Sequence, residues 1–150
     1  MTKTLSALIV GATLSVLAFT ALAQNAVLDA AAKELGAEVT ASGIVYRSIV
    51  EGTGASPSAL DRVRVHYRGT FPDGKEFDSS YARNEPADFP LNRVIKCWTT
   101  GVQKMKVGGK AKLTCPSATA YGEKGAGGGE IPPNATLVFE VELIAINPIR

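Results

Sequence analysis

The chain has 150 residues, a formal net charge of +2, and ordinary apolar and charged fractions of 45% and 20%. That length supports one domain with a sizeable core, and hardly two. The small, dispersed positive excess argues against a nucleic-acid-binding surface, which needs clustered basic residues. Two cysteines outside any CxxC spacing, with His66 as the single histidine, argue against a zinc site.

The N-terminal stretch MTKTLSALIVGATLSVLAFTALAQ carries one charge, Lys3, followed by an apolar run from Leu5 to Leu22. Ala21 and Ala23 place small residues at the −3 and −1 positions of a cleavage site, so residues 1–23 are expected to be a cleaved secretory signal peptide. The alternative is a retained anchor, because the run is nearly long enough to span a bilayer. No cysteine sits at the cleavage point, which argues against a lipid-modified N-terminus. Cleavage would leave about 127 residues and, with Lys3 removed, lower the formal charge from +2 to +1. The expected location is periplasmic or secreted, with no stable membrane insertion after cleavage. In such an oxidising compartment two thiols of one small domain tend to pair.

Residues 24–42 form a lead-in. Val27, Leu28, Ala31, Ala32 and Leu35 recur at helical spacing, and Gly36 is placed to end a short amphipathic helix. From there the pattern is mostly strands. Gly43 to Val50 is rich in β-formers. Between Leu60 and Thr70, Val63, Val65 and Tyr67 alternate with Arg62, Arg64, His66 and Arg68, which predicts a sheet with one core face and one solvated face. Phe71-Pro72-Asp73-Gly74 is a turn, and Lys75 to Asp78 completes a hairpin. Val94, Ile95, Trp98 and Val102 predict one side of a helix of about two turns, limited by Gly101. Lys110 to Cys115 alternates again, with Ala111, Leu113 and Cys115 inward and Lys112 and Thr114 outward. A last strand runs from Ala135 to Ile146, and residues 121–133, YGEKGAGGGEIPP, form a loop. The expectation is an α+β domain, a curved antiparallel sheet wrapped around one short helix.

Several suggestive features have simpler explanations. The glycines of residues 125–129 lack the Lys-Ser/Thr pair of a phosphate loop, and Pro132-Pro133 forbids the helix that would follow one. His66 sits among arginines on a polar face, without a GxSxG nucleophile elsewhere, and reads as a solvated or hydrogen-bonded structural residue. Asn134-Ala135-Thr136 matches a glycosylation sequon at the start of a strand, a match frequent by chance.

The aromatic residues say more. Tyr67, Phe77, Phe89, Trp98, Tyr121 and Phe139 come from separate segments and by pattern alone are core. Asp78 follows Phe77 directly, close to Arg83. It is placed to receive hydrogen bonds from Tyr67 or Tyr121, or an ion pair from Arg83. An aromatic bowl with a few polar tips is a common form of small-ligand site.

Four segments then occur in an informative order: VHYRGTFPDGKEFDSSYARNEP, FPLNRVIKCWTTGVQKMKVGGKAKLT, AYG and IPPNATLVFEVELI. Together, over about Gly43 to Ile146, they resemble the FKBP-type peptidyl-prolyl cis-trans isomerases, and in particular exported bacterial members related to macrophage infectivity potentiators. The resemblance implies an isomerase domain over residues 43–150 with a five- or six-stranded antiparallel sheet curled around one helix. It implies an enzyme without cofactor or metal that rotates X-Pro bonds of unfolded or exported polypeptides. Macrolide inhibitors are implied ligands. The implied substrate pocket comprises Tyr67, Phe77, Arg83, Phe89, Val94, Trp98 as floor, Ile131 and Phe139. Asp78, Tyr121 and Ile95 take the catalytic roles, the Ile95 N–H and Tyr121 hydroxyl holding substrate carbonyls. Ala87, Arg93 and Glu130 depart from the family pattern at the rim. The alternative function is a non-catalytic chaperone or proline-peptide binding module using the same pocket.

Cys97 adjoins Trp98 but projects from another side of its short helix. Cys115, on the inward face of its strand, is its expected disulfide partner, the alternative being two buried thiols.

Overall fold

The computed structural model describes residues 24–149. The expected signal peptide, residues 1–23, lies outside the described residues. In chain order the elements are helix α1 (residues 24–32) and strands β1 (Ala37–Val39), β2 (Val45–Val50), β3 (Arg62–Thr70), β4 (Glu76–Ser79) and β5 (Ala87–Pro90). Helix α2 (Lys96–Val102) and strands β6 (Lys110–Cys115) and β7 (Leu137–Ile146) complete them. The strands form one seven-stranded antiparallel sheet in the order β1-β2-β6-β7-β3-β4, and β5 pairs with β3 beyond the end of β4. This is the expected α+β architecture, with β1 and β5 as added short strands.

Alternation builds the core as the sequence predicts. Val63, Val65 and Tyr67 of β3, Ala111, Leu113 and Cys115 of β6, and Leu137, Phe139, Val141 and Leu143 of β7 are all buried on the concave face. Against them lies α2, through Cys97, Trp98 and Val102. Three features set that close approach. Gly101 faces Leu113 so tightly that a Cβ there would fall 2.6 Å from a Leu113 methyl. The Sγ atoms of Cys97 and Cys115 are bonded, with Cα atoms 5.7 Å apart, inside the range a disulfide permits. The third is Trp98, whose indole meets aromatic side chains of the sheet.

Three expectations are corrected. The lead-in is not helical throughout: α1 ends at residue 32, and Ala37–Val39 pairs with Val45–Arg47 as an edge strand. Gly36, at φ +82°, makes the reversal that a continuing helix would not allow. Leu35 is consequently exposed instead of extending the apolar stripe. Thr114 does lie on the outer face but is buried there, because Val27, Ala30 and Ala31 of α1 border a cleft shared with Thr114 and Val138. Glu34 secures this arrangement by ion pairs to Lys112 (2.7 Å) and Arg47 (2.5 Å). Finally, Val94 and Ile95 precede α2 instead of belonging to it. Val94 is extended (φ −114°, ψ 176°), and Ile95 (φ −58°, ψ 148°) is the N-cap. The Ile95 carbonyl accepts from the N–H groups of Trp98 and Thr99 and so starts the helix.

Replacing both Cys97 and Cys115 by alanine is expected to lower stability by about 3 kcal/mol, the value for closing a loop of this length in the unfolded chain. Urea unfolding with and without reductant measures it; unchanged midpoints would contradict the staple. Gly69, next in the inward series after Tyr67, leaves room for two rings: a Cβ there would lie 2.6 Å from Phe77 Cζ and 2.9 Å from Phe139 Cε1. Gly69→Ala is expected to cost about 1–3 kcal/mol by overpacking, read from the thermal midpoint.

Candidate active site

The aromatic residues converge. Trp98 sits at the centre, edge-to-face with Tyr67 (centroids 5.1 Å), Phe139 (5.4 Å) and Phe89 (5.6 Å). Phe77 continues the ring by an edge contact to Phe139 at 5.6 Å. T-shaped contacts place positive ring edges on negative faces, a geometry that fixes each ring's orientation as well as burying it. The rings enclose a cavity of about 490 Å³, closed on the helix side by Val94 and Ile95. β3 supplies Tyr67, β4 Phe77, β5 Phe89, β7 Phe139 and α2 Trp98, so the cavity exists only once the sheet has curled over the helix.

The floor has an unusual feature. Trp98 Nε1 is buried and has no hydrogen-bond partner among the described residues. An unpaired buried donor costs about 1–3 kcal/mol and is rare in packed interiors.

The polar tips are organised around Asp78. The Tyr67 hydroxyl donates to Asp78 Oδ2 at 2.6 Å, and Arg83 Nη1 donates to Oδ1 at 2.7 Å. Arg83 Nη2 also donates to the Tyr67 hydroxyl oxygen at 3.0 Å, closing a three-membered network. Burial pushes the Asp78 carboxyl up, but the Tyr67 hydroxyl and the Arg83 guanidinium together outweigh it and hold the group below the ordinary aspartate value. Burial first, and then the bond to Asp78, raises Tyr67 above the ordinary tyrosine value. Tyr121 is raised as well, by burial and then by the Asp78 charge.

Of the two tyrosines that were candidates for Asp78, Tyr67 makes the bond. Tyr121 lines the cavity beside it, partly exposed, with no hydrogen-bond partner for its hydroxyl among the described residues. The Ile95 N–H, ahead of α2, donates to no backbone carbonyl among the described residues. Two residues of the implied pocket do not line the larger cavity itself. Arg83 backs Asp78 without lining the cavity. Ile131 is buried beside a second cavity of about 330 Å³ under the glycine loop, which shares Phe77, Asp78 and Tyr121 with the first. That loop is a tight hairpin closed by an Ala126–Ile131 bridge. Gly127, Gly128 and Gly129 all have positive φ, conformations that side chains other than glycine rarely adopt.

Sequence reasoning missed one residue. Ser80, fully buried, accepts from the Tyr67 N–H at 2.7 Å and lies 2.8 Å from His66 Nδ1, fixing the backbone behind the tyrosine. Its place in a polar run gave no hint of burial. His66 is thereby the hydrogen-bonded structural residue of the sequence reading, stacked on Tyr81 at 4.6 Å. Arg93, expected at the rim as a departure from the family pattern, lines the main cavity.

The family model described as FKBP-type peptidyl-prolyl cis-trans isomerase matches residues 54–144. The chain is 58% identical over 119 residues to the FKBP-type peptidyl-prolyl cis-trans isomerase FkpA of Aeromonas hydrophila, spanning 79% of this chain and 44% of that protein. It is 52% identical over 130 residues to the FKBP-type 22 kDa peptidyl-prolyl cis-trans isomerase of Escherichia coli (strain K12), 85% of this chain and 63% of the relative. It thus spans less than half the length of the first relative and under two thirds of the second. Among solved structures, FkpA from Escherichia coli superimposes with a TM-score of 0.82 at 45% identity, over 87% of this chain and 61% of that one. A peptidyl-prolyl cis-trans isomerase from Pseudomonas syringae pv. tomato str. DC3000 gives 0.77 at 41% identity, over 84% and 92%. The matched segment runs from before β3 to within β7 and so contains α2 and every ring of the cavity: the chain belongs to the FKBP-type peptidyl-prolyl cis-trans isomerase family.

Proposed function

We propose that this chain catalyses cis-trans isomerisation of X-Pro peptide bonds in unfolded, exported polypeptides. The observation that carries the reading is the aromatic cavity floored by Trp98 and lined by Tyr121 and Ile95, whose hydroxyl and N–H respectively have no hydrogen-bond partner among the described residues. Family membership and the related isomerases support it.

Rotation about a peptide bond costs about 18–20 kcal/mol because resonance is lost, so X-Pro bonds isomerise over about tens to hundreds of seconds. The planar amide separates charge between oxygen and nitrogen, and the twisted transition state separates less. A dry aromatic cavity disfavours the planar form relative to the twisted one, and only such differential stabilisation raises a rate. Lowering the barrier by about 5 kcal/mol would give nearly four decades. The proline ring sits on Trp98 between Tyr67, Phe77, Val94 and Phe139, with Phe89 and Ile131 completing the apolar surroundings. The Ile95 N–H and Tyr121 hydroxyl hold substrate carbonyls. Asp78 fixes the Tyr67 hydroxyl, and Arg83 offsets its charge, so that no uncompensated anion opposes entry of an apolar ring. Residues 1–23 direct the chain out of the cytoplasm and are removed, leaving it periplasmic or secreted. No helix of the described residues is long and apolar enough to cross a membrane. Macrolides compete for the same cavity, the altered rim at Ala87, Arg93 and Glu130 tuning their affinity.

A proline-peptide exchange assay tests this. Wild type is expected to exceed the uncatalysed rate, with Asp78→Ala lowering kcat/KM by about tenfold through loss of charge-assisted bonds. Tyr121→Phe should lower it by about two- to tenfold through loss of one hydrogen bond. Peptide binding without acceleration would establish the non-catalytic binding module instead. The pH profile is a second check. The lowered Asp78 value keeps it ionised above the ordinary aspartate range, and both tyrosines stay neutral beyond their ordinary value of about 10. Because Asp78 is depressed on folding, its contribution is present above the unfolded value of about 3.9 and is lost as pH falls through the folded one. The kcat/KM of wild type should therefore be flat from about pH 5 to 9 and fall only in acid. A titration centred near neutrality would contradict this assignment of charge.

A further inference from the structure

The two cavities lie side by side, with Phe77, Asp78 and Tyr121 bordering both, and together they are taken as one groove. Arg93 borders the larger cavity and not the smaller; Glu130 borders the smaller and not the larger. Both side chains are exposed, and neither makes an ion pair or a side-chain hydrogen bond among the described residues. The groove's third charge, Asp78 at the junction, is already matched by Arg83 at 2.7 Å. The middle is therefore balanced and the ends carry opposite, unspent charges. Glu130 follows directly on the glycines of the flap and lies against Gly127. A Cβ at Gly127 would lie 3.0 Å from both Cβ and Oε2 of Glu130, so the carboxylate folds back over a position that glycine leaves open.

We propose that this groove is a charge-polarised substrate site. Arg93 selects an acidic side chain on one side of the bound proline, and Glu130 selects a basic one on the other. An extended peptide advances about 3.3 Å per residue, so with its proline in the aromatic cavity the residues that flank it pass the two rims. Exposed ion pairs are individually weak, but two acting in opposite senses distinguish a peptide from its charge-reversed counterpart. The inference rests on the groove being the proline-peptide site, as the isomerase reading holds.

The test uses three acetylated, amidated peptides: Glu-Leu-Pro-Phe-Lys, Lys-Leu-Pro-Phe-Glu and the neutral Gln-Leu-Pro-Phe-Gln. Binding is measured by titration calorimetry and cis-trans exchange by NMR, at low and high salt. At low salt one charged order should surpass the neutral peptide and the other fall below it. With about threefold between a matched and a mismatched charge at each rim, the two orders should differ by about tenfold, and the difference should shrink at high salt. Arg93→Gln and Glu130→Gln should each remove part of the difference, and the double variant Arg93→Glu/Glu130→Arg should invert the order. Two orders that agree within about twofold in both binding and exchange, or a preference that survives both glutamine variants, would overturn the proposal. Failure to accelerate even the neutral peptide would sink the isomerase reading alone, since the calorimetric order would still report on the groove.

Discussion

A two-turn helix is held unusually close to the concave face of the sheet, and the rest of the molecule is arranged around that approach. α2 has too few residues to be stable alone, because helix nucleation is costly and short helices gain little from propagation. Tertiary contacts supply what it lacks. The Cys97–Cys115 bond ties it to β6, and the missing side chain at Gly101 lets Leu113 in. Trp98 reaches across to Tyr67, Phe89 and Phe139. The same approach creates the cavity, since the indole that anchors the helix is also the surface on which the cavity rests. Fold stability and site geometry are therefore set by the same contacts.

The site separates its apolar and polar work spatially. The rings make the interior, while the charges stand at its edge and are matched there. Asp78 lies within reach of an apolar cavity, where an unpaired carboxylate would be costly. Tyr67 and Arg83 satisfy both its oxygens, and Ser80 fixes the backbone from which Tyr67 projects. The network accordingly belongs to the architecture of the bowl. Two residues that line the cavity, Tyr121 and Ile95, carry a hydroxyl and an N–H left without partners among the described residues. Their freedom follows from backbone: Ile95 is extended and caps α2 by its carbonyl, so its own N–H falls outside the helical ladder.

The rim follows different rules from the floor. Ring positions are constrained by mutual packing, in which a change of one methylene is felt. Arg93 and Glu130 are exposed and touch none of those rings' edge-to-face contacts, so their identity can vary without cost to the bowl. Differences among proteins that share this floor are accordingly to be sought at the groove's two ends and in the glycine hairpin that carries Glu130.

Much of this was legible in the chain. Alternation identified the inward residues of β3, β6 and β7, because a half-buried strand must repeat every second residue. The order of the motifs pointed to residues that the fold brings together around one cavity, among them Tyr67, Phe77, Phe89, Trp98 and Phe139, and the inward position of Cys115 made it the candidate partner for Cys97. Helical periodicity misled at both ends of its use. Val94 and Ile95 fit the apolar stripe of α2 but are extended, and the stripe of α1 stopped short of Leu35 once Gly36 turned the chain into β1. Periodicity registers which residues are apolar, and an extended segment entering a core looks the same. The choice between Tyr67 and Tyr121 at Asp78, the burial of Ser80 and Thr114, and the division of the pocket residues between two adjoining cavities were decided by tertiary structure alone. Each depends on distances between segments far apart in the chain, which local pattern does not encode and which the curl of the sheet over α2 sets.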